Sequence, residues 1–169
     1  MARIPYLADD AGSERTRDVL GKNGEKNIFR MLAHTEAHFV NYCRLGNAIR
    51  YKGELDAQLR ELAITRTGIL CNSDYEVIAH KRIGADLGIS ADKLEALEMG
   101  SEAEVYSELE RDVLRFTDEV VNSDRPSDAV FDAVAAQLSP GALVELQLAV
   151  GFYIMTSKFL RTFDIDLQT

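Results

Sequence analysis

Apolar residues recur at helical spacing along most of the chain, and nowhere does a strand-like alternation compete. From Asn27 the pattern runs through Ile28, Met31 and Leu32, then Phe39, Tyr42, Cys43 and Leu45, until Gly53 breaks it. Asp56 is placed to cap a helix carrying Leu59, Leu62, Ala63, Arg66 and Leu70. Asn72 or Ser73 is placed to cap the next, which holds Tyr75, Val77, Ile78 and Ile83 and stops at Gly88. Ser90 opens another helix, and Ser101 with Glu104 forms a capping-box pattern ahead of a longer one. Pro126 marks an entry, and Pro140 follows Ser139 at a first turn. These signals predict an all-α, single-domain bundle of about seven or eight helices. Residues 1–25 are polar and glycine-interrupted and read as an N-terminal arm, with the helical domain over 26–169.

The last helix is apolar on more than one face, through Leu143, Leu146, Leu148, Ala149, Val150, Phe152, Tyr153, Ile154, Met155, Phe159 and Leu160. Such a helix is buried at the centre of a protomer or in a subunit interface, so a homo-oligomer is expected. Its longest apolar stretch, "LQLAVGFYIM", falls short of the roughly 18 residues of a membrane span.

Length and charge narrow the partners. A chain of 169 residues fits one domain and buries a core without staples. The formal charge of −9 argues against phosphate-backbone binding and against docking on anionic lipid, so neither nucleic acid nor membrane is expected. Two distant cysteines, Cys43 and Cys71, do not make a disulfide framework. With no apolar stretch at the N-terminus, a cytoplasmic location is the expectation.

Candidate chemistry gathers in "ILCNSDYEVIAHKRIGADLGIS", residues 69–90. Ser73, Glu76 and His80 share one helical stripe, and Glu76 and His80, four apart, can touch. A carboxylate beside an imidazole raises its pKa and orients it, as a proton shuttle requires; the same spacing also fits a simple surface pair. Cys71 is open to two readings, a buried inert thiol or one activated by a nearby helix N-terminus. His34 and His38 are four apart, but Thr35 stands where the zincin pattern needs Glu, and no metal site is expected.

The segment "LRELAITRTGILCNSDYEVIAHKRIGADLGIS" resembles the core of the carboxymuconolactone decarboxylase family, which shares its fold with the alkylhydroperoxidase D group. "NIFRMLAHTEAHFVNYCRLGNAI" and "LVELQLAVGFYIMTSKFL" resemble the helices on either side, so the likeness covers roughly residues 27 to 165. The resemblance implies an all-helical protomer that assembles into trimers or hexamers. Peroxidase members carry a Cys-x-x-Cys pair followed by His, with a relay Glu on the preceding helix. Anchored on His80, those cysteine positions hold Ser73 and Glu76, and the relay Glu falls on Glu61. The resemblance thus implies a decarboxylase-like branch without cofactor, in which Glu61, Glu76 and His80 transfer protons on a small-molecule substrate. Arg66 is then a candidate for gripping a substrate carboxylate, or for an ion pair with Glu61 or Glu76, and Tyr75 for packing or for lining the site. A thiol-dependent peroxidase using Cys71 and a non-enzymatic ligand-binding assembly are the competing readings.

Overall fold

The computed structural model describes residues 1–8, 10–24 and 26–167; Asp9 and Glu25 of the expected arm and the last two residues of the expected domain lie outside them. The described residues form nine α-helices: α1 (Glu14–Asn23), α2 (Asn27–Leu32), α3 (Glu36–Tyr51), α4 (Ala57–Leu70), α5 (Asp74–Asp86), α6 (Ala91–Ala96), α7 (Glu108–Asn122), α8 (Asp128–Ala135) and α9 (Pro140–Thr162). A short 3₁₀ turn covers Gly100–Glu102. The all-α expectation is borne out. The chain packs as two compact units, one of Met1–Lys52 with Phe159–Thr169 and one of Gly53–Lys158.

In the first unit, Leu20, Ala33, Phe39 and Cys43 make the core. The residues from Asn27 to Gly53 form two helices rather than one. Glu36, in the first turn of α3, accepts hydrogen bonds from Ser13 and Thr16 at the start of α1, and the chain bends at His34 and Thr35 where that grip is made. This long-range contact has no local signal in the sequence.

The second unit is built around α4. Leu55, Leu59, Ala63, Val113, Phe116, Val134, Ala142, Leu146 and Val150 form one apolar cluster, and Leu62, Leu94, Leu97, Tyr106 and Leu114 lie in another. Asp56 caps α4 as expected, accepting from the backbone N–H of Gln58 and Leu59. Ser90 and Ser139 likewise accept first-turn N–H groups of α6 and α9. On α9 one face, including Leu146, Ala149, Val150 and Tyr153, is buried, while Val144, Leu148 and Met155 are exposed. This helix is long and apolar enough to cross a membrane by length and composition, a test that a core helix also passes.

The capping box falls elsewhere than at Ser101. Helix α7 begins at Glu108, with Ser107 and Glu110 making the reciprocal bonds, while Ser101 is buried in the 3₁₀ turn. Arg66 is the physical reason. Its Nη1 donates to the carbonyls of Leu97 and Glu98 at 2.8 and 3.0 Å, and the chain wraps around the guanidinium before a helix can start. Gly100, at φ 64°, makes the closest approach: a Cβ there would stand 2.7 Å from Arg66 Nη2.

Candidate functional site

Helices α4 and α5 meet through a tight turn that brings the candidate residues together. Cys71 closes α4, Asn72 adopts a left-handed conformation at φ 52°, and the Ser73 N–H donates to the Gly68 carbonyl at 2.8 Å. Gly68 permits the close approach, since a Cβ there would lie 3.2 Å from both Glu76 Cβ and Val77 Cγ2. The chain thus returns along itself and sets Glu61 of α4 against His80 of α5.

His80 is held on both ring nitrogens. Its Nδ1 lies 2.6 Å from Glu61 Oε2, and its Nε2 lies 3.3 Å from Glu76 Oε2. A neutral imidazole has one N–H, whereas an imidazolium has two and suits both carboxylates. Burial pulls the His80 pKa down, but the hydrogen bonds and charges of Glu61 and Glu76 outweigh it, and the net shift is upward from 6.5. The simple surface pair is therefore not what the chain makes: all three side chains are buried.

Two further residues complete the cluster. The ring of Tyr153, from α9, meets His80 edge to face at 4.7 Å and 81°. Arg60 Nε lies 3.3 Å from Glu61 Oε1, the oxygen that faces away from His80. Arg60, Glu61, protonated His80 and Glu76 alternate in sign and sum to zero, which is how four ionisable groups tolerate such burial. Neither Arg60 nor Tyr153 stands out in the sequence. Neighbouring residues on a helix do not face each other by default, and Tyr153 reads there as one more core position.

Chemically, the arrangement is a proton donor and acceptor. The short contact to Glu61 assigns a proton to Nδ1, so Nε2 is the nitrogen that gains and loses one, beside Glu76. Glu61 fixes the ring and compensates its charge.

The other candidates are placed as follows. Ser73 is buried at the N-cap position of α5, but its φ of −109° and ψ of 86° do not suit capping, and its Oγ has no hydrogen-bond partner. Tyr75 is half-buried in the first turn of α5. Cys71 is a buried thiol at the carbonyl end of α4. Cys43 is buried in the first unit, and burial pushes its thiol up to about 11.

Arg66 is directed elsewhere than to Glu61, Glu76 or a substrate. It pairs with Asp118 through Nε–Oδ1 at 2.6 Å and Nη2–Oδ2 at 3.1 Å, and with the two carbonyls it has four of its five N–H engaged. His34 and His38 are both exposed, so neither lines a buried helix contact, and His34 Nε2 bonds the Pro5 carbonyl at 2.9 Å. Among the described residues no three His, Cys, Asp or Glu side chains converge to hold a metal ion.

Residues 37–119, which contain the whole Glu61–Glu76–His80 cluster, match the family model of carboxymuconolactone decarboxylases. Over that segment, just under half of its length, the chain is similar to the carboxymuconolactone decarboxylase family. Solved structures share the fold. An alkylhydroperoxidase AhpD core, a peroxidase-related protein from Ralstonia eutropha JMP134, has a TM-score of 0.88 at 18% identity over 99% of this chain and 92% of that one. The debrominase Bmp8, in complex with 2,3,4-tribromopyrrole, has a TM-score of 0.85 at 13% identity, covering 100% and 95%. A protein of unknown function from Agrobacterium tumefaciens has a TM-score of 0.73 at 23% identity, covering 79% and 92%. At such identities the likeness is one of fold, and the fold carries more than one chemistry. No curated protein sequence shows significant similarity to the chain.

Proposed function

We propose that this protein is a member of that family and an acid–base catalyst without a cofactor, a lyase or isomerase acting on a small organic acid or lactone. The observation that carries the reading is the imidazole of His80 held between two buried carboxylates at 2.6 and 3.3 Å. In a decarboxylation, the C–C bond to the carboxylate breaks, CO₂ leaves, and the electron pair is delocalised into the lactone carbonyl of the substrate itself. His80 Nε2–H then delivers its proton to that carbon, and the neutral ring regains a proton from water. In an isomerisation the same nitrogen removes a proton at one carbon and returns it at another. Matching the pKa of the group to the working pH is what makes such a transfer efficient.

A dithiol peroxidase mechanism is not supported by these residues. It needs one thiolate to attack peroxide and a second to close a disulfide. Where the peroxidase pattern has those thiols, this chain has Ser73 and Glu76. A screen of small lactone acids, followed by CO₂ release or isomer formation, tests the proposal. Turnover is expected without thiol reductant, and Cys71→Ser is expected to retain it within about threefold. Loss of turnover in Cys71→Ser, together with dithiol-dependent peroxide consumption by the wild type alone, would contradict the proposal.

A further inference from the structure

The proposed chemistry needs His80 Nε2 to meet a substrate carbon, yet Glu76 Oε2 stands 3.3 Å from that nitrogen. Both side chains are buried, so Nε2 is covered while Glu76 keeps this position. The two contacts of the ring differ in strength. Glu61 holds Nδ1 at 2.6 Å, whereas 3.3 Å lies beyond the usual range of a charge-assisted hydrogen bond. Glu76 is therefore the neighbour that yields. A buried carboxylate that leaves its cation needs another donor. Ser73 has one to offer: it is buried, and its Oγ is sealed without any hydrogen-bond partner. Such orphaned hydroxyls are rare in folded proteins and call for a cause. Ser73 and Glu76 occupy the N-cap and the third position of α5, and in a capping box a glutamate at that position reaches back to the N-cap residue. Here no box forms. The Ser73 N–H is taken by the Gly68 carbonyl at 2.8 Å, and Glu76 is turned to His80. What remains to bond at the N-cap is the hydroxyl itself.

From this we infer that Ser73 is a positioning residue of the site, whose hydroxyl receives the Glu76 carboxylate when that side chain swings off His80 Nε2. The inference rests on the acid–base reading above and adds the step that uncovers the exchanging nitrogen. With Glu76 against Nε2, the imidazolium is held on both sides and its proton is kept. With Glu76 on Ser73 Oγ, the Nε2–H is free to give its proton to carbon, while Glu61 still holds Nδ1. The move gives up one long contact and gains a hydrogen bond from a hydroxyl to a carboxylate, so neither position is strongly favoured. A hydroxyl suits this task. It turns toward an arriving acceptor without breaking a bond, because with Glu76 on His80 it makes none.

Exchange of the His80 ring protons with water, followed by NMR on the whole protein, reads this motion without any ligand. Below pH 6.5 the ring carries both N–H groups. The Nε2–H exchanges when Glu76 moves away, and the Nδ1–H, held by Glu61, is an internal control. Ser73→Ala removes a hydroxyl that bonds nothing while Glu76 is on His80, so the melting temperature should hold or rise. The same variant should slow Nε2–H exchange at least about tenfold and leave Nδ1–H exchange within about twofold. Ser73→Thr keeps a hydroxyl at the cap, and its Nε2–H should exchange within about threefold of the wild-type rate. Equal Nε2–H rates in Ser73→Ala and the wild type would overturn the inference, as would a threonine variant that behaves like the alanine one. Faster exchange of both ring protons with a lower melting temperature would also overturn it, since a serine that only supports the fold gives that result. Failure of the acid–base reading is separate: it appears as turnover surviving in His80→Ala, which ring-proton exchange does not report.

Discussion

Replacing His80 by alanine is expected to lower turnover by roughly 100- to 10,000-fold, the range by which a positioned proton-transfer group accelerates a reaction. The loss should fall on kcat, because the proposed role of the ring is to move a proton in the transition state. Alanine also leaves Glu61 and Glu76 facing an empty space with no cation between them, so some stability is lost as well. His80→Gln separates the two effects. Its amide donates to one of the carboxylates but exchanges no proton, so it should recover part of the stability and none of the activity. Steady-state kinetics beside thermal melts check this, and activity within about threefold of wild type in either variant contradicts a catalytic His80.

The second large effect lies away from the chemistry. Arg66→Ala removes the partner of the Asp118 carboxylate and both bonds to the Leu97 and Glu98 carbonyls. A buried pair broken on one side costs about 3–5 kcal/mol, and the lower end applies because Asp118 keeps 26% of its side-chain exposure. At about 3 kcal/mol, the melting temperature should fall by roughly 6–12 °C. Gly100 sharpens the expectation, since the segment follows the guanidinium so closely that a Cβ at its left-handed turn would stand 2.7 Å from Arg66 Nη2. Arg66→Lys restores a charge without the fork and should recover less than half of the loss. A melting temperature unchanged in Arg66→Ala would mean that the wrapped segment holds itself.

Particular residues show how far the sequence could be read. Asp56, Ser90 and Ser139 announce their helices because a cap acts on the next three residues and leaves a local signature. Glu76 and His80 are visible for the same reason, their contact being one helical turn. Glu61 is marked by resemblance alone, because a contact between two helices leaves no spacing to read. The start of α7 at Glu108 was hidden for the opposite reason: Ser101 has the right neighbours, but a guanidinium 35 residues earlier in the chain claims its backbone surroundings. The partner of Arg66 followed from the same geometry, with Asp118 on α7 nearer to it than either acid of the cluster. Arg60 and Tyr153 depend on which way side chains lean after packing, and no pattern of polar and apolar positions carries that.

The raised pKa of His80 also links the site to stability. A group whose folded pKa lies above its unfolded value contributes stability that is fully present below the unfolded pKa, here 6.5. That contribution disappears as pH climbs through the folded value. The protein should therefore lose the protonated ring and the stability it contributes over the same pH interval, above 6.5.

The most direct measurement is the pH titration of the His80 ring nitrogens by ¹⁵N NMR, assigned by comparison with His80→Gln. The account predicts an imidazolium that persists above pH 6.5, with Nε2 the nitrogen that loses its proton and Nδ1 still protonated against Glu61. A ring already neutral at pH 6.5, as burial alone would make it, would contradict the proton-donor role and with it the proposed chemistry.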